Sequence, residues 1–493
     1  MKKKMILNTF TPLFAQLVNV VFGFVMPRLI LEHFGSEVNG LTQSIKQFLG
    51  IITFLDLGVG QVIRSALYRP LSHGDHKQIS RVMASGRRFY RQLAALLLGY
   101  VVVLILLYPS ITASSFGWWD TAALIAAMAV SSFAQYFFGI INEQLLHADQ
   151  RGYVIYTLQI ICNVLNVALC VLFINMGASI QVVKLVASVV LLIRPVFIWL
   201  YVRKKYRIDP SVRSEKEPIE QKWHGVAQHI SAVVLDGTDT IVLTFLSTLA
   251  NVSVYSVYYM VISSLQTFYQ SATAGIQSAA GALWARNDRQ AQERMFAATE
   301  PALHFVTVFV FSCTGVLLLP FVQVYTAGLT DADYRQPLFA GLLVLAYAIR
   351  CLRTPYNIWI LAAGHYKQTQ VCHITAAAMN LLISILAVNR LGLVGVAIGT
   401  LCAMIYQTGW MAFYNIRHLL KRPLGSVIRQ FAVDIAAAAI TILCCSGYSL
   451  GECSYYGWLI LAVKTGCTAF TVSASIWFAF YRKPILAVLR HNK

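Results

Sequence analysis

Charged residues are scarce in this chain of 493 residues, because Asp, Glu, Lys and Arg together make up only 12% of it. A soluble domain has about twice that share. Hydrophobic residues make up 58% of the chain, and the mean hydropathy is +0.64. These figures exclude a soluble enzyme, a disordered protein and a secreted disulfide scaffold. Long apolar runs also disfavour a transmembrane barrel, whose strands alternate polar and apolar residues. A polytopic helical membrane protein is the class that remains.

Motifs for nucleotides and metals are missing as well. No G-x-x-x-x-G-K-[ST] loop occurs, which argues against direct coupling to ATP. The ten cysteines form no C-x-x-C pair, and there is no H-E-x-x-H motif. Most of the cysteines lie in apolar runs, where cysteine acts as a small apolar residue. We therefore expect no metal site, no catalytic residues and no cofactor.

Apolar runs separated by Gly, Pro or charge predict 14 membrane-spanning helices, each near the roughly 20 residues that a bilayer requires. The first run follows Met1-Lys2-Lys3-Lys4 and is too long for a signal-peptide core, so we expect a retained first helix. The predicted spans are 6–31, 41–63, 92–113, 121–146, 153–176, 180–202, 226–248, 252–282, 301–324, 338–363, 369–388, 393–416, 430–448 and 457–480.

The basic residues show a strong bias between the predicted loops. With the N-terminus inside, the cytoplasmic segments hold 30 of the 39 Lys and Arg, and the external loops hold two, Arg335 and Arg390. Such a bias sets membrane orientation, and it predicts a multi-pass protein with both termini in the cytoplasm. The net charge of +19 therefore reflects topology and attraction to anionic membrane lipids. We expect no nucleic-acid partner.

The two halves of the chain resemble each other at a nearly constant offset. Asn142 maps to Asn357, and Gly177 maps to Gly392, both 215 residues later. With six spans in each half, the halves share one orientation, as in the parallel repeats of many transporters. The sequence thus predicts two six-helix bundles that rock around a central cavity. The predicted domains are an N-terminal lobe 1–202, a cytoplasmic linker 203–225, a C-terminal lobe 226–416, and two extra helices with a cytoplasmic tail 417–493.

Three arginines lie near mid-membrane in the predicted spans: Arg194, Arg350 and Arg353. A charge there is costly, so it faces a cavity or a partner. One interpretation is a cationic cavity for an anionic ligand, to which Arg28 also contributes. The other is a structural pair of Arg194 or Arg350 with one of the deep carboxylates of span 226–248. A pair that breaks when an anion arrives would combine the two.

Other polar residues in the spans have competing interpretations. Asp236 and Asp239 lie on one face of their helix and could bind a proton or sodium, or act as a gate. Asn142, Glu143 and Asn357 line the inner mouth of a cavity, or hydrogen-bond neighbouring helices. Three lysines lie near the ends of their predicted spans, and their side chains are expected to extend to the membrane surface. They are Lys46, Lys184 and Lys464. Asp434 is expected to partner Arg429 or Lys421.

Five short motifs stand out in the sequence: Phe34-Gly35-Ser36-Glu37-Val38-Asn39-Gly40-Leu41, Ile52-Thr53-Phe54-Leu55-Asp56-Leu57-Gly58-Val59-Gly60, Ala66-Leu67-Tyr68-Arg69-Pro70-Leu71, Asp236-Gly237-Thr238-Asp239 and Ala363-Gly364-His365-Tyr366. These motifs resemble those of the Wzx-type polysaccharide flippases of the multidrug/oligosaccharidyl-lipid/polysaccharide exporter superfamily. The resemblance covers essentially the whole chain, including a layout of six, six and two helices.

The resemblance implies a flippase that moves undecaprenyl-pyrophosphate-linked oligosaccharide to the outer leaflet of a bacterial cytoplasmic membrane, for surface polysaccharide synthesis. It also implies a V-shaped cationic cavity, which Arg194, Arg350 and Arg353 match in character. A polysaccharide polymerase and glycosyltransferases would be its partners. Two alternatives stay open: an ion-coupled drug or small-molecule antiporter of the same superfamily, and a polytopic glycan polymerase or ligase. The short external loops disfavour the enzyme.

Overall fold

The computed structural model describes residues 2–51, 59–111, 116–209, 226–420 and 422–491. Within these ranges all regular secondary structure is helical, and two π-helical turns, Gln135–Gly139 and Asn415–Leu420, continue α-helices. The α-helices are α1 Lys2–Gly50, α2 Val59–His73, α3 His76–Ile111, α4 Trp118–Ala134, α5 Ile140–Ala148, α6 Gly152–Asn175, α7 Ile180–Lys205, α8 Val226–Leu246, α9 Leu249–Ala285, α10 Arg289–Tyr325, α11 Pro337–Leu352, α12 Thr354–Ala362, α13 Tyr366–Leu391, α14 Leu393–Tyr414, α15 Leu424–Cys445 and α16 Tyr455–His491.

The predicted all-helical membrane fold is confirmed. Among the described residues, 11 helices are long and apolar enough to cross a membrane, and one of them, Phe10–Gly50, contains most of the first predicted span and the start of the second. Two predicted spans are not among the 11. Span 226–248 corresponds to α8, of which the part Gly237–Leu246 counts as a shorter apolar helix. Span 252–282 lies in α9, which is rich in Ser, Gln and Tyr.

The first two predicted spans are joined by a kink instead of the expected loop at 32–40. Helix α1 runs from Lys2 to Gly50 and is interrupted by the backbone of Gly35, with φ 83° and ψ 175°. A side chain is strongly disfavoured at such a φ, which glycine adopts freely. Gly35 therefore allows the chain to change direction within one residue.

Several helices extend past their apolar runs into segments expected to be loops. Only residues 286–288 separate α9 from α10, where the sequence predicts a cytoplasmic segment 283–300. Asn287 adopts a positive φ of 53° there. The Asp288 side chain then accepts the backbone N–H of Ala291 at 3.0 Å, which caps the start of α10. Hydropathy detects the apolar part of each helix, while capping residues set its ends.

The chain divides into two compact units, residues 1–226 and 227–493. In the N-terminal unit α1 packs on α4 and α6, and α7 packs on the same two helices. In the C-terminal unit α14 packs on α11 and α13, and α10 packs on α11. Helices α15 and α16 both pack on α10. The predicted linker 203–225 lies outside the described residues from 210 onward.

Buried polar contacts attach α15 to the rest of the C-terminal unit. His304 of α10 is fully buried, and its Nδ1 lies 2.5 Å from the Asp434 carboxylate of α15. The amide of Gln430 donates to the same carboxylate at 3.0 Å. Among the described residues Asp434 thus pairs with His304 and not with Arg429, and Lys421, the other expected partner, lies outside the described residues. The reason is that α10, although distant in sequence, is the helix that packs against α15.

The fourth span of each unit is irregular at the same point of the repeat. In the N-terminal unit the π-helical turn Gln135–Gly139 separates α4 from α5. The offset of 215 residues carries Gln135 to Arg350 and Gly139 to Thr354, where α11 ends and α12 begins. A π-turn inserts one extra residue into a helix and is common at functional sites. The irregular part of the fourth span is therefore a candidate for the functional site in both units.

Candidate functional site

A cavity of about 350 Å³ lies inside the C-terminal unit. Helices α8, α9, α11, α12, α13 and α14 all contribute to its wall. Three of the predicted site residues line it together: Arg350, Arg353 and Asn357. The other polar residues of the wall are Gln266, Tyr269, Gln270, Thr273, Gln277, Thr354, His373 and Gln407.

The break between α11 and α12 positions both arginines. Helix α11 ends at Leu352 and α12 starts at Thr354, with Pro355 in its first turn. Proline fits a first turn but lacks the N–H needed to continue a helix. The guanidinium of Arg350 lies 5.8 Å from the centre of the Tyr347 ring, and Nη1 of Arg353 lies 4.0 Å from the Met404 sulfur. Both arginines are half-buried, so the cavity holds two positive charges.

Amide side chains in the same wall have polar atoms without partners. Nε2 of Gln266 and Oε1 of Gln407 are buried and have no hydrogen-bond partner among the described residues. Nε2 of Gln407 lies 2.9 Å from Nδ1 of His373. Buried polar atoms without partners cost free energy. A polar ligand in the cavity would satisfy them, and the wall offers it two cations and several amide groups.

The Asp239 carboxylate lies one helical turn along α8 from Leu235, which lines the cavity. Only 1% of the residue is exposed. The Thr400 hydroxyl is 2.9 and 2.8 Å from its two oxygens, and the Tyr255 hydroxyl donates at 2.9 Å. Nδ2 of Asn380 lies 3.4 Å from Asp239 and donates to Thr400 at 2.8 Å. One carboxylate is thus surrounded by oxygen-bearing side chains from three helices.

The predicted residues of the N-terminal unit form an ion pair. Nη2 of Arg194 lies 2.7 Å from the Glu143 carboxylate, and their side chains are 24% and 12% exposed. Gln135, in the π-helical turn, donates to the same carboxylate at 3.1 Å. Nε of Arg194 is buried with no partner among the described residues. The pair connects α7 to α5.

The remaining predicted residues lie elsewhere. Arg28 pairs with Glu32 one turn later in α1, at 2.6 Å. The Asn142 amide donates to the Phe138 carbonyl of its own helical segment at 2.6 Å. The side chain of Asp236 is outside the described part of the structure.

Three uncharged members of these sites were missed from the sequence. A search for ionisable groups passes over Gln407, Asn380 and Thr400, which are 0% exposed on otherwise apolar helices. A search for amide and hydroxyl side chains in apolar spans would have selected them, because such groups need partners in a membrane.

A polar network also fixes the loop between α5 and α6. The Tyr206 hydroxyl donates to the Asp149 carboxylate, which accepts Nε of Arg151 at 2.5 Å. Nη1 of Arg151 donates to the Tyr201 hydroxyl at 3.2 Å. Burial and the hydrogen bond to Asp149 raise the pKa of Tyr206 above its ordinary value. The phenol therefore stays protonated and remains a donor.

Known structures resemble this fold, although no family model and no curated sequence matches the chain. A structure of the lipid II flippase MurJ in an inward closed conformation matches with a TM-score of 0.72 and 14% identity, over 97% of this chain and 100% of that one. An inward-facing multidrug resistance MATE family transporter of the MOP superfamily matches with a TM-score of 0.57 and 16% identity, over 83% and 97%. A mutant of the Vibrio cholerae MATE transporter VcmN matches with a TM-score of 0.57 and 13% identity, over 86% and 98%.

At these identities the likeness establishes the fold, which the chain shares with the flippase and the MATE transporters. The extent of each match differs. A match over 97% of 493 residues leaves about 15 residues outside it, so it must include most of α15 and α16. The MATE matches leave about 70 to 85 residues outside.

Proposed function

We propose that this chain is a membrane transporter that flips an undecaprenyl-pyrophosphate-linked oligosaccharide from the inner to the outer leaflet of a bacterial cytoplasmic membrane. Alternating access, with both termini in the cytoplasm, is the proposed mechanism. The observation that carries the proposal is the cavity in which Arg350 and Arg353 lie beside two amide side chains, each with a buried atom that has no hydrogen-bond partner among the described residues. The full-length likeness to a lipid II flippase supports a lipid-linked substrate.

The chemistry of the cavity suits a pyrophosphate. Arginine presents a planar fork of N–H donors that binds phosphate oxygens in pairs. A site of about 350 Å³ is at the lower end of the size of ligand pockets, which fits a headgroup and leaves the oligosaccharide outside it. Asn357 and Gln266 add amide groups to the same wall. In our proposal this cavity holds the pyrophosphate while the lipid tail stays in the bilayer.

Asp239 is proposed as the site of the coupling ion, a proton or sodium. It is the carboxylate that Thr400, Tyr255 and Asn380 surround. Hard cations such as sodium prefer oxygen ligands, and protonation of the carboxylate would alter the same contacts. Because Leu235 of the same helix lines the arginine cavity, occupancy at Asp239 would reach the substrate site through α8. Asp236 remains a second candidate for this role.

The N-terminal residues are proposed to act as a gate and a cavity mouth. Arg194 and Glu143 form an ion pair, and an incoming anion would replace Glu143 as the partner of Arg194. Asn142, on the same helix as Glu143, and Arg28 stay candidates for the mouth and for anion binding. A polysaccharide polymerase and glycosyltransferases are proposed as partners, because flipped units must be made on one side and consumed on the other.

A bacterial strain that lacks its own copy of the gene tests the proposal. Cells complemented with Arg350→Gln/Arg353→Gln should make at least tenfold less surface polysaccharide than wild-type cells, with equal protein in the membrane, because two charge-assisted contacts are lost. Arg335→Gln, at an exposed arginine in the external loop, is the matched control and should have no effect. Normal polymer in the double variant would refute the role of the cavity.

An ion-coupled antiporter for drugs or small molecules is the second candidate. The buried Asp239 carboxylate and the likeness to MATE transporters favour it. The two functions separate in one measurement, drug resistance of cells that overproduce the chain. Resistance that depends on Asp239, together with normal polysaccharide in the double arginine variant, would replace the flippase with the antiporter.

A further inference from the structure

A second cavity, of about 310 Å³, lies inside the N-terminal unit and contains two lysines. Lys46 comes from α1 and Lys184 from α7. The sequence predicts that each extends separately to the membrane surface, whereas the structure brings both to one cavity. Their neighbours in the wall include the uncharged polar residues Asn19, Thr42, Gln43, Asn163 and Asn166.

The positive charge of this cavity is not neutralised by the described part of the chain. Neither ammonium forms a salt bridge or hydrogen bond with a described residue, and the described residues of the wall include no acid. The two ammonium groups repel each other. Two like charges held together in a membrane-spanning unit are costly, and a bound anion would remove the repulsion.

The amide groups of the wall are arranged to donate. Nδ2 of Asn163 donates to Oδ1 of Asn19 at 2.5 Å, and Oδ1 of Asn166 accepts the Cys170 thiol at 3.4 Å. Each of these oxygens thus accepts one hydrogen bond, and the NH₂ groups of Asn19 and Asn166, which donate to no described residue, face no competing acceptor for a ligand. Lys46 is exposed and Lys184 is half-buried, so a ligand can reach the ammonium groups.

We propose that this cavity is a binding site for an oxyanion, a phosphate or a carboxylate, held between Lys46 and Lys184. It is separate from the arginine cavity, which lies in the other unit. Two lysines and several amide donors, with no acid among the described residues of the wall, are the donor set that such an anion requires. Either the phosphate of an anionic lipid or an acidic group of a soluble or lipid-linked saccharide carries this chemistry.

Ligand-induced stabilisation of the purified full-length protein tests the site. The background is Arg350→Gln/Arg353→Gln, so that the arginine cavity does not contribute. Melting temperature is measured in phosphatidylcholine nanodiscs with added inorganic phosphate or glucuronate, and in phosphatidylglycerol nanodiscs without additions. A ligand that binds the native state raises the melting temperature. Lys46→Gln and Lys184→Gln should each weaken the apparent affinity about tenfold, the effect of losing one charge-assisted hydrogen bond.

The matched control is Lys464→Gln, which removes a lysine from α16, outside this cavity, and should change the affinity less than twofold. Stabilisation by phosphate or glucuronate identifies a soluble or saccharide source, and stabilisation by phosphatidylglycerol alone identifies a lipid. Either result supports the site if the lysine variants lose it. The proposal is overturned if no probe stabilises the protein, or if the double variant Lys46→Gln/Lys184→Gln responds like its parent. All of these proteins carry Arg350→Gln/Arg353→Gln. A response that survives the loss of both lysines would therefore overturn the lysine site and leave the proposal for the arginine cavity untouched.

Discussion

The ion pair of Arg194 and Glu143 allows a sharp test of whether Arg194 stabilises the fold or serves transport. Glu143→Gln removes one charge but keeps an amide oxygen that can still accept from Gln135. Arg194→Gln removes the other charge. Each single variant leaves a partly buried charge without its partner, and the double variant leaves neither.

The expected magnitude follows from the burial of the pair. Exposed ion pairs contribute about 0–1 kcal/mol, while breaking a fully buried pair costs about 3–5 kcal/mol. With side chains 24% and 12% exposed, we expect about 2 kcal/mol for each single variant. The pair lies in the N-terminal unit, residues 1–226. In a unit of that size, a loss of about 2 kcal/mol lowers the melting temperature by roughly 4–8 °C. The double variant should lose less than the sum of the two, with a coupling energy of about 1–2 kcal/mol.

Thermal denaturation of purified variants in detergent measures the cycle. Arg88→Gln, at an exposed arginine of α3, serves as the control and should stay within about 0.5 kcal/mol of wild type. Additive losses in the double variant would show that the two side chains do not stabilise each other, and the reasoning would fail. If the double variant is stable and still supports polysaccharide synthesis, Arg194 has no essential contact with substrate.

Three further changes have defined outcomes. An added Cβ at Gly399 would overlap the hydroxyl of Ser384, so Gly399→Ala should cost about 1–3 kcal/mol in thermal denaturation; unchanged stability would mean that α13 and α14 can separate freely. Asp434→Ala leaves the buried His304 ring without its carboxylate and should destabilise the protein by about 3 kcal/mol, an effect that His304→Phe in the same chain should partly reverse. Tyr206→Phe removes one hydrogen bond to a carboxylate and should cost about 1–2 kcal/mol, seen as faster proteolysis of the α5–α6 loop; equal digestion would contradict the role of this contact.

The fold could be predicted from the sequence because hydropathy reports directly on burial in a membrane. The same signal fails at helix ends. The kink at Gly35 replaces a predicted loop, and α9 and α10 continue through residues expected to lie between helices. These boundaries depend on single backbone angles and side-chain caps, which a hydropathy average cannot resolve.

The sites were predicted less completely, because partners come from helices far apart in sequence. Spacing groups Arg350 with Arg353, and the structure places both in one cavity. Asn357, which the sequence analysis grouped with Asn142 and Glu143, lines the cavity of the two arginines instead. No local pattern identifies Glu143 as the partner of Arg194, or Lys46 as the neighbour of Lys184. Their proximity depends on how α1, α5 and α7 pack.

The π-helical turn Gln135–Gly139 sets the direction, around the helix axis, in which the later side chains of the same span point. One additional residue in a helix with 3.6 residues per turn changes the direction of later side chains by about 100°. Returning this turn to α geometry would therefore rotate α5 about its axis and carry Glu143 away from Arg194. In the structure it is the π-helical register that places Glu143 beside Arg194, so a single residue of helical register decides whether this ion pair can form.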